Sequence, residues 1–351
     1  MDLNLKPKNQ MSKFNYKWYL KDGYPAKDIK NHGKRVFTTF ACGGGSTMGY
    51  KLAGYDVIAA NDIDPEMRKV YVENHHPKYY FLQDIRSLLN KEYPEEFNDL
   101  DVLDGSPPCS TFSITGSREA AWGKEKKFRE GQAKQTLDDL FFEFIALVKK
   151  LQPKIVIAEN VKGMLGGHAK GYVKQIFKQL DEAGYNTQLF LLNASTMGVP
   201  QRRERVFFLS RRKDLKLPEI TLRFNQLSIP FINVEKDLDL KLNESQKTQP
   251  TELYKKYWHE AKLGEAVGKF KTIIKINPFK SLNTITSGFD GLYHYKEVRR
   301  LTTQEFTLCG SFPLDYNFMN VRANYLIGMS VPPVMMANVA DQVYKQWLSK
   351  I

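Results

Sequence analysis

The sequence predicts an α/β chain built on an open parallel sheet, with a smaller and less regular domain after it. Two observations lead there. From residue 36 to residue 212, short runs rich in Val, Ile, Phe and Tyr alternate with segments whose apolar residues recur at helical spacing. From 213 to about 296 the alternation stops, and scattered β-type pieces lie among many lysines. A chain of 351 residues with 42% hydrophobic content can bury a substantial core, enough for one large domain and a smaller one.

The elements follow in order. Val36 to Phe40 reads as a strand, the run Gly43-Gly44-Gly45 follows it, and a helix reaches Leu52. "YDVIAAND" is the next strand, ending near Asp62, and completes a βαβ unit. A helix over 65–75 leads to the short strand "YYFLQD", and "LDVLDG" is a further strand that runs into "GSPPCSTFS". From Thr136 the residues Leu137, Leu140, Phe141, Phe144, Leu147, Val148 and Leu151 recur at helical spacing, with Thr136 as cap and Asp138 and Asp139 in the first turn. "KIVIAENV" is a strand, Tyr172 to Ala183 a helix stopped by Gly184, and "TQLFLLNAS" and "RVFFLS" are strands. After Pro332-Pro333, "VMMANVADQVYKQWL" reads as a helix that packs back on the first domain. The expected boundaries are a basic N-terminal arm at 1–34, a first domain at 35–212 completed by 328–351, and a second domain with a hinge at 213–327.

Composition narrows the function. Cys42, Cys109 and Cys309 lie far apart without zinc-like pairing, so neither a disulfide framework nor a metal site is expected. No N-terminal run resembles a signal peptide and no apolar stretch is long enough to cross a bilayer, which points to the cytoplasm. Lys and Arg outnumber Asp and Glu by 52 to 39, a net charge of +13 that favours a polyanionic partner such as nucleic acid.

In an open parallel sheet, reactive groups collect beyond the carboxyl ends of the strands. Gly43-Gly44-Gly45 follows the first strand, Asp62 the second, Asp84 the third, Cys109 the fourth and Glu159 the fifth. Glycines let the backbone turn against a ligand, and an acid about 20 residues on, here Asp62, suits ribose hydroxyls, so a nucleoside cofactor fits. Cys109 on its own reads more readily as a small buried apolar residue than as a nucleophile. Pro107 and Pro108 before it fix φ and remove backbone donors, which aims the next side chain. Glu159 is either a reacting carboxyl or an ordinary cap or ion-pair partner. In "GVPQRRERVFFL", Arg203 and Arg205 stand two apart at a strand entrance and are expected to share one face, able to hold an anion or a base carbonyl.

Taken together, "FACGGGSTMG", "GSPPCSTFS", "ENV" at 159–161, "QRRER" at 201–205, "RRLTTQEF" at 299–306 and "GMSVPP" at 328–333 resemble, in order and spacing, the DNA cytosine-5 methyltransferase family. The resemblance covers nearly all of residues 36–345. It implies a Rossmann-like, S-adenosylmethionine-dependent methyltransferase sheet with a smaller, variable target-recognition domain. The donor, released as S-adenosylhomocysteine, would be held by Phe40, Gly43, Gly44, Gly45, Asp62, Ile63, Asp84, Ile85, Pro107 and Ser330. Cys109 matches the nucleophile, Glu159 its carboxyl partner, and Arg203 and Arg205 the paired arginines of the base site, with Ser113, Asn160 and Gln201 on the substrate side. Cys42 stands where the family has glycine, Met329 where it has asparagine, and "CGSFP" where "LQGFP" is common.

The implied chemistry is addition of the Cys109 thiolate to C6 of a cytosine swung out of duplex DNA. Glu159 at N3 supports the charge pushed into the ring, best as a protonated or proton-sharing carboxyl, so that C5 can take a methyl group. The loop from Ser110 to Lys134 reads as a basic lid, and "GKFKTIIKINPFK" at 268–280 as a phosphate-contact stretch. A monomer, a prokaryotic or phage source and a cognate restriction endonuclease encoded nearby are expected, with no membrane partner. Alternatives are a tRNA cytosine-5 methyltransferase, an amino-methylating DNA enzyme, against which Cys109 argues, and an inactive DNA-binding regulator.

Overall fold

The computed structural model describes residues 13–108, 140–166, 169–238, 251–267, 273–288 and 291–351. The chain divides into two compact units. The described parts of Pro25–Leu192, Glu204–Leu222 and Val339–Ile351 form a sheet unit, and those of Met1–Tyr24, Asn193–Arg203 and Arg223–Asn338 form the other.

The sheet unit runs β1 (Arg35–Thr39), α1 (Gly45–Leu52), β2 (Asp56–Asp62), α2 (Pro65–His75), β3 (Tyr79–Leu82), β4 (Val102–Gly105), α3 (Leu140–Leu151), β5 (Ile155–Val161), α4 (Ala169–Glu182), β6 (Tyr185–Asn193) and β7 (Glu204–Arg212). These are the expected elements within a few residues. α2 starts where Asp64 accepts the amide hydrogens of Glu66 and Met67 and Pro65 fills the first helical position. The strand order is β3-β2-β1-β4-β5-β7-β6. The first five strands pair in parallel, whereas β7 pairs antiparallel to β5. The sheet is therefore mixed rather than all parallel. β6 and β7 are joined by residues 194–203 without a crossover helix of the kind a parallel neighbour needs.

β4 and β5 occupy the middle of the sheet, and their residues are buried on both faces, which is why "KIVIAENV" is nearly continuously apolar. Phe141, Phe144, Ile145, Leu147 and Val148 of α3 pack into the core with Phe37, Val156 and Phe208. Residues Thr136, Leu137, Asp138 and Asp139, read as the start of this helix, lie outside the described residues.

The other unit contains α5 (Phe231–Leu238), α6 (Glu252–Glu260), β8 (Ala266–Val267), β9 (Ile273–Lys275), β10 (Leu292–Tyr293), α7 (Thr303–Cys309) and α8 (Ala323–Met329). Its small sheet has the order β10-β9-β8. α9 (Pro333–Gln346) begins here and ends in the sheet unit. The stretch expected to be irregular thus holds helices at α5 and α6, and further helices follow at α7 and α8. At α7, Thr302 and Glu305 form a capping box, and Arg299 pairs with the buried Glu305 at 2.9 Å.

Residues 13–34 are not a free arm. Phe14 is buried, Trp18 Nε1 donates to the Ser311 carbonyl at 2.9 Å, and the amides of Leu20 and Lys21 donate to the Asp315 carboxylate at 2.6 and 3.0 Å. From Pro25 the chain joins the sheet unit, where the Ala26 and His32 amides donate to the Leu52 and Gly54 carbonyls. Lys213–Leu222 also belongs to the sheet unit and Asn193–Arg203 to the other. No described helix is long and apolar enough to cross a membrane.

Candidate active site

The strand ends of the sheet unit bring several expected groups to one edge. β4 and β5 are parallel neighbours with Gly105 opposite Ala158, so the proline segment leaving β4 runs beside Glu159 and Asn160. Asn160 Nδ2 donates to the Pro107 carbonyl at 3.0 Å, and Asn160 Oδ1 accepts the Val161 amide at 2.8 Å. Proline removes a donor at 107 and leaves its carbonyl needing a partner, and the Asn160 amide meets that need. The backbone two residues ahead of Cys109 is therefore tied to the strand that carries Glu159. Cys109, Ser113 and the loop Ser110–Lys134 lie outside the described residues.

Glu159 lies inside β5 rather than after it, two residues before the strand ends, and is 8% exposed. Its Oε1 is 3.0 Å from Nε of Arg205. Antiparallel pairing makes this contact, because Arg205 stands opposite Val161 in the register. Burial pulls the Arg205 guanidinium below its ordinary value, and Glu159 opposes that shift. The partner of the carboxyl is thus a guanidinium.

Arg203 differs from the expectation of two arginines on one face. It precedes β7, is 2% exposed, and donates to the carbonyls of Ile285, Gly328 and Ser330 at 3.0, 2.8 and 2.9 Å. A planar five-donor fork suits this gathering of carbonyls. Gln201, expected on the substrate side, is fully buried, with its amide engaged by the Cys309 carbonyl at 3.4 Å and the Ile285 amide at 3.2 Å. Ser330 closes α8 by donating to the Leu326 carbonyl at 2.8 Å. These three side chains bond to backbone within the second unit.

The glycine run is shaped by what lies behind it. Phe40, Cys42 and Gly44 have φ of 54°, 45° and 82°. The Cys42 amide donates to Asp62 Oδ2 at 2.7 Å and the Asp64 amide to Oδ1 at 3.0 Å, so Asp62 closes the loop as well as ending β2. Burial raises the Asp62 carboxyl, and those backbone amides oppose it. A side chain at Gly44 would put Cβ 2.1 Å from His75 Nε2, while that nitrogen lies 3.0 Å from the Gly43 carbonyl and must carry the hydrogen. Burial and nearby Lys51 push His75 down to about 3, so the ring is neutral. Its neighbour one turn back, Tyr71, bonds Thr47 of α1 at 2.7 Å. Asp84 accepts the Arg86 amide at 2.8 Å beyond β3, and Ile85 is buried next to it.

This edge suits a nucleoside. Asp62 and Asp84 end β2 and follow β3 as carboxylates, a group that can accept from ribose hydroxyls; Asp84 also pairs with Arg86, Nη1 to Oδ2 at 3.2 Å, and Phe40 and Ile63 are partly buried. His75 and Asp104 went unnoticed as site residues. Asp104 is a charged side chain inside the apolar run of a central strand, which was a visible signal. It accepts from Thr38 Oγ1 at 3.0 Å and Tyr50 OH at 3.1 Å, and burial pushes it up to about 7, with Glu159 adding to the rise.

The family model for C-5 cytosine-specific DNA methylase matches residues 35–345. The Type II methyltransferase M.FnuDI of Fusobacterium nucleatum is 38% identical over 183 residues, covering 52% of this chain and 48% of that protein. M1.HphI of Haemophilus parahaemolyticus is 26% identical over 328 residues, covering 87% of this chain and 85% of that protein. The alignments to M.FnuDI and to M.NgoPII of Neisseria gonorrhoeae each span about half of the relative. A crystal structure of a prophage-encoded DNA modification methyltransferase from E. coli shares the fold, with a TM-score of 0.69 at 19% identity over 89% of this chain and 99% of that one.

Proposed function

Because the chain belongs to the C-5 cytosine-specific DNA methylase family, we propose that it methylates C5 of a cytosine turned out of duplex DNA, with S-adenosylmethionine as donor. The observation that carries this reading is the tether between Asn160 and Pro107, which holds the segment leading to Cys109 against the strand bearing Glu159.

C5 of cytosine is a weak nucleophile because attack from it sacrifices ring aromaticity. In the proposed course the Cys109 thiolate adds to C6, breaking the C5–C6 double bond and sending its electrons into the ring. Glu159 sits at N3, and Arg205 fixes its orientation from 3.0 Å. When bound, S-adenosylmethionine supplies an electrophilic methyl group for C5 and leaves as S-adenosylhomocysteine. Loss of the C5 proton to a base re-forms the double bond and expels the Cys109 thiolate. Asp62, Asp84, Phe40, Ile63, Ile85 and the loop through Gly43, Gly44 and Gly45 would hold the donor, with Pro107 at its reacting end.

The net charge of +13 fits a duplex partner, and the second unit is its reader in this proposal. The Type II names of the relatives support a role beside a restriction endonuclease in a bacterial or phage cytoplasm. Bisulfite sequencing of DNA from a host expressing the gene tests the reading. A fixed sequence context of protected cytosines is expected, and wholly converted DNA alongside methylated tRNA would replace it with the RNA alternative.

A further inference from the structure

Asp104 puts a carboxyl into the middle of a central strand, where it is 2% exposed. In the parallel register it stands beside Thr38 of β1 and Ile157 of β5, and paired residues on neighbouring strands point to one face. Glu159, two residues beyond Ile157, points to that same face. The strand spacing and rise put the Asp104 and Glu159 backbones roughly 8 Å apart, with both side chains buried. All of these residues belong to the sheet unit.

α1 closes this face over Asp104. Tyr50 OH donates to Oδ1 at 3.1 Å, Thr38 Oγ1 donates to Oδ2 at 3.0 Å, and the Ser46 side chain is a third partner. A bridge from β1 to α1 is the ordinary role for such a residue, but an amide could make it without burying an ionisable group. Two carboxyls on one buried face do what an amide cannot: a charge on one disfavours a charge on the other where water screens little. Burial pushes Asp104 up to about 7, and Glu159 adds to the rise, so its charge changes in the neutral range. The tyrosines that face it, Tyr50 of α1 and Tyr71 of α2, are pushed upward by burial and stay neutral there. Arg205, 3.0 Å from Glu159, stays a cation.

Resting on the methylation reading above, we propose that Asp104 is a positioning residue for Glu159. Charged, it opposes Arg205 and favours a proton shared between Glu159 and N3 of the base; neutral, it leaves Glu159 to Arg205 as a plain carboxylate. The shared proton at N3 stabilises the electrons that the Cys109 thiolate sends into the ring. Asp104 acts through Glu159 and not on the base.

The test measures single-turnover methylation by the full chain from pH 6 to 8.5, with saturating S-adenosylmethionine and the target duplex found by bisulfite mapping. Dividing the wild-type rate by that of Asp104→Asn cancels the titration of Cys109. The ratio should climb about fivefold to tenfold as pH rises through 7, because only the wild type gains the Asp104 charge. Tyr50→Phe removes a hydrogen bond that favours the charged form of Asp104, so its rate should rise at higher pH than that of the wild type. It also carries the test if Asp104→Asn does not fold, which thermal melts at each pH report. In a Glu159→Gln background the Asp104→Asn ratio should stay flat. A flat ratio with Glu159 in place, an equal climb without it, or an unmoved Tyr50→Phe profile would overturn the positioning role while leaving the methylation reading intact. A wild type inert on every DNA would overturn both.

Discussion

Asn160 and Pro107 are joined by a 3.0 Å hydrogen bond that crosses from β5 to the segment after β4. Replacing Asn160 by Ala leaves a buried proline carbonyl unpaired, at a cost of about 1–3 kcal/mol. We expect kcat to fall by about tenfold or more, because the segment bearing the nucleophile loses its direction. Thermal unfolding and steady-state kinetics read the two effects separately, and an unchanged kcat in a destabilised variant would make the bond purely structural.

Glu159 and Arg205 form a pair from which neither partner can be removed at little cost. Arg205→Ala strands a carboxyl that is 8% exposed, and should destabilise by roughly 2–5 kcal/mol. Glu159→Gln keeps a hydrogen-bond acceptor for Arg205 but removes its countercharge, so it should cost some stability as well as on the order of 10² to 10⁴ in kcat. The double variant should unfold at a higher temperature than Arg205→Ala alone, since the stranded charge is gone. Strict additivity in a calorimetric double-mutant cycle would deny the coupling.

Gly44→Ala combines a φ of 82° with a Cβ placed 2.1 Å from His75 Nε2. The strain and the clash should together cost at least about 2 kcal/mol and weaken donor binding seen by calorimetry. Adding His75→Ala removes the clash but not the strain, so part of the loss should return. Full donor affinity in the single Gly44→Ala variant would show that the loop path does not set the donor site.

Asp104 predicts a pH dependence with a definite sign. Its folded value of about 7 lies above the ordinary carboxylate value of 3.8, so the native state holds the proton more tightly than the unfolded chain. Its contribution to stability is complete below pH 3.8 and is lost as pH rises towards 7, by on the order of a few kcal/mol. Thr38 and Tyr50 hydrogen bonds oppose the shift, while Glu159 enlarges it. Denaturant unfolding from pH 4 to 8 should therefore slope less steeply downward in Asp104→Asn than in wild type. Parallel curves would remove Asp104 from the balance.

The sheet could be read before the structure because β1, β2, β4 and β5 have apolar runs of strand length bounded by turn residues, and α3 has an unbroken helical period. β7 was found, but its direction was not, since periodicity carries no sign and only the missing helix between β6 and β7 reveals it. α5 to α8 are short, at 7 to 9 residues, and too brief for periodicity to separate from loop. Glu159, Asp62 and Arg205 were singled out by their place in motifs, and Glu159 and Arg205 pair at 3.0 Å. Arg203, Gln201 and Ser330 share those motifs yet bond backbone within the second unit, a difference fixed by tertiary contacts. His75 escaped because its role depends on a glycine 31 positions earlier in the chain.

The central claim is a transient bond between the Cys109 sulfur and C6 of the target base. Duplex DNA carrying 5-fluorocytosine at the mapped site, incubated with S-adenosylmethionine and the full chain, should give a denaturation-resistant complex, because fluorine blocks the final elimination. Peptide mapping should place the link at Cys109, and Cys109→Ser should give none. A link at Cys42 or Cys309, or rapid methylation of ordinary duplex by Cys109→Ser, would contradict the account.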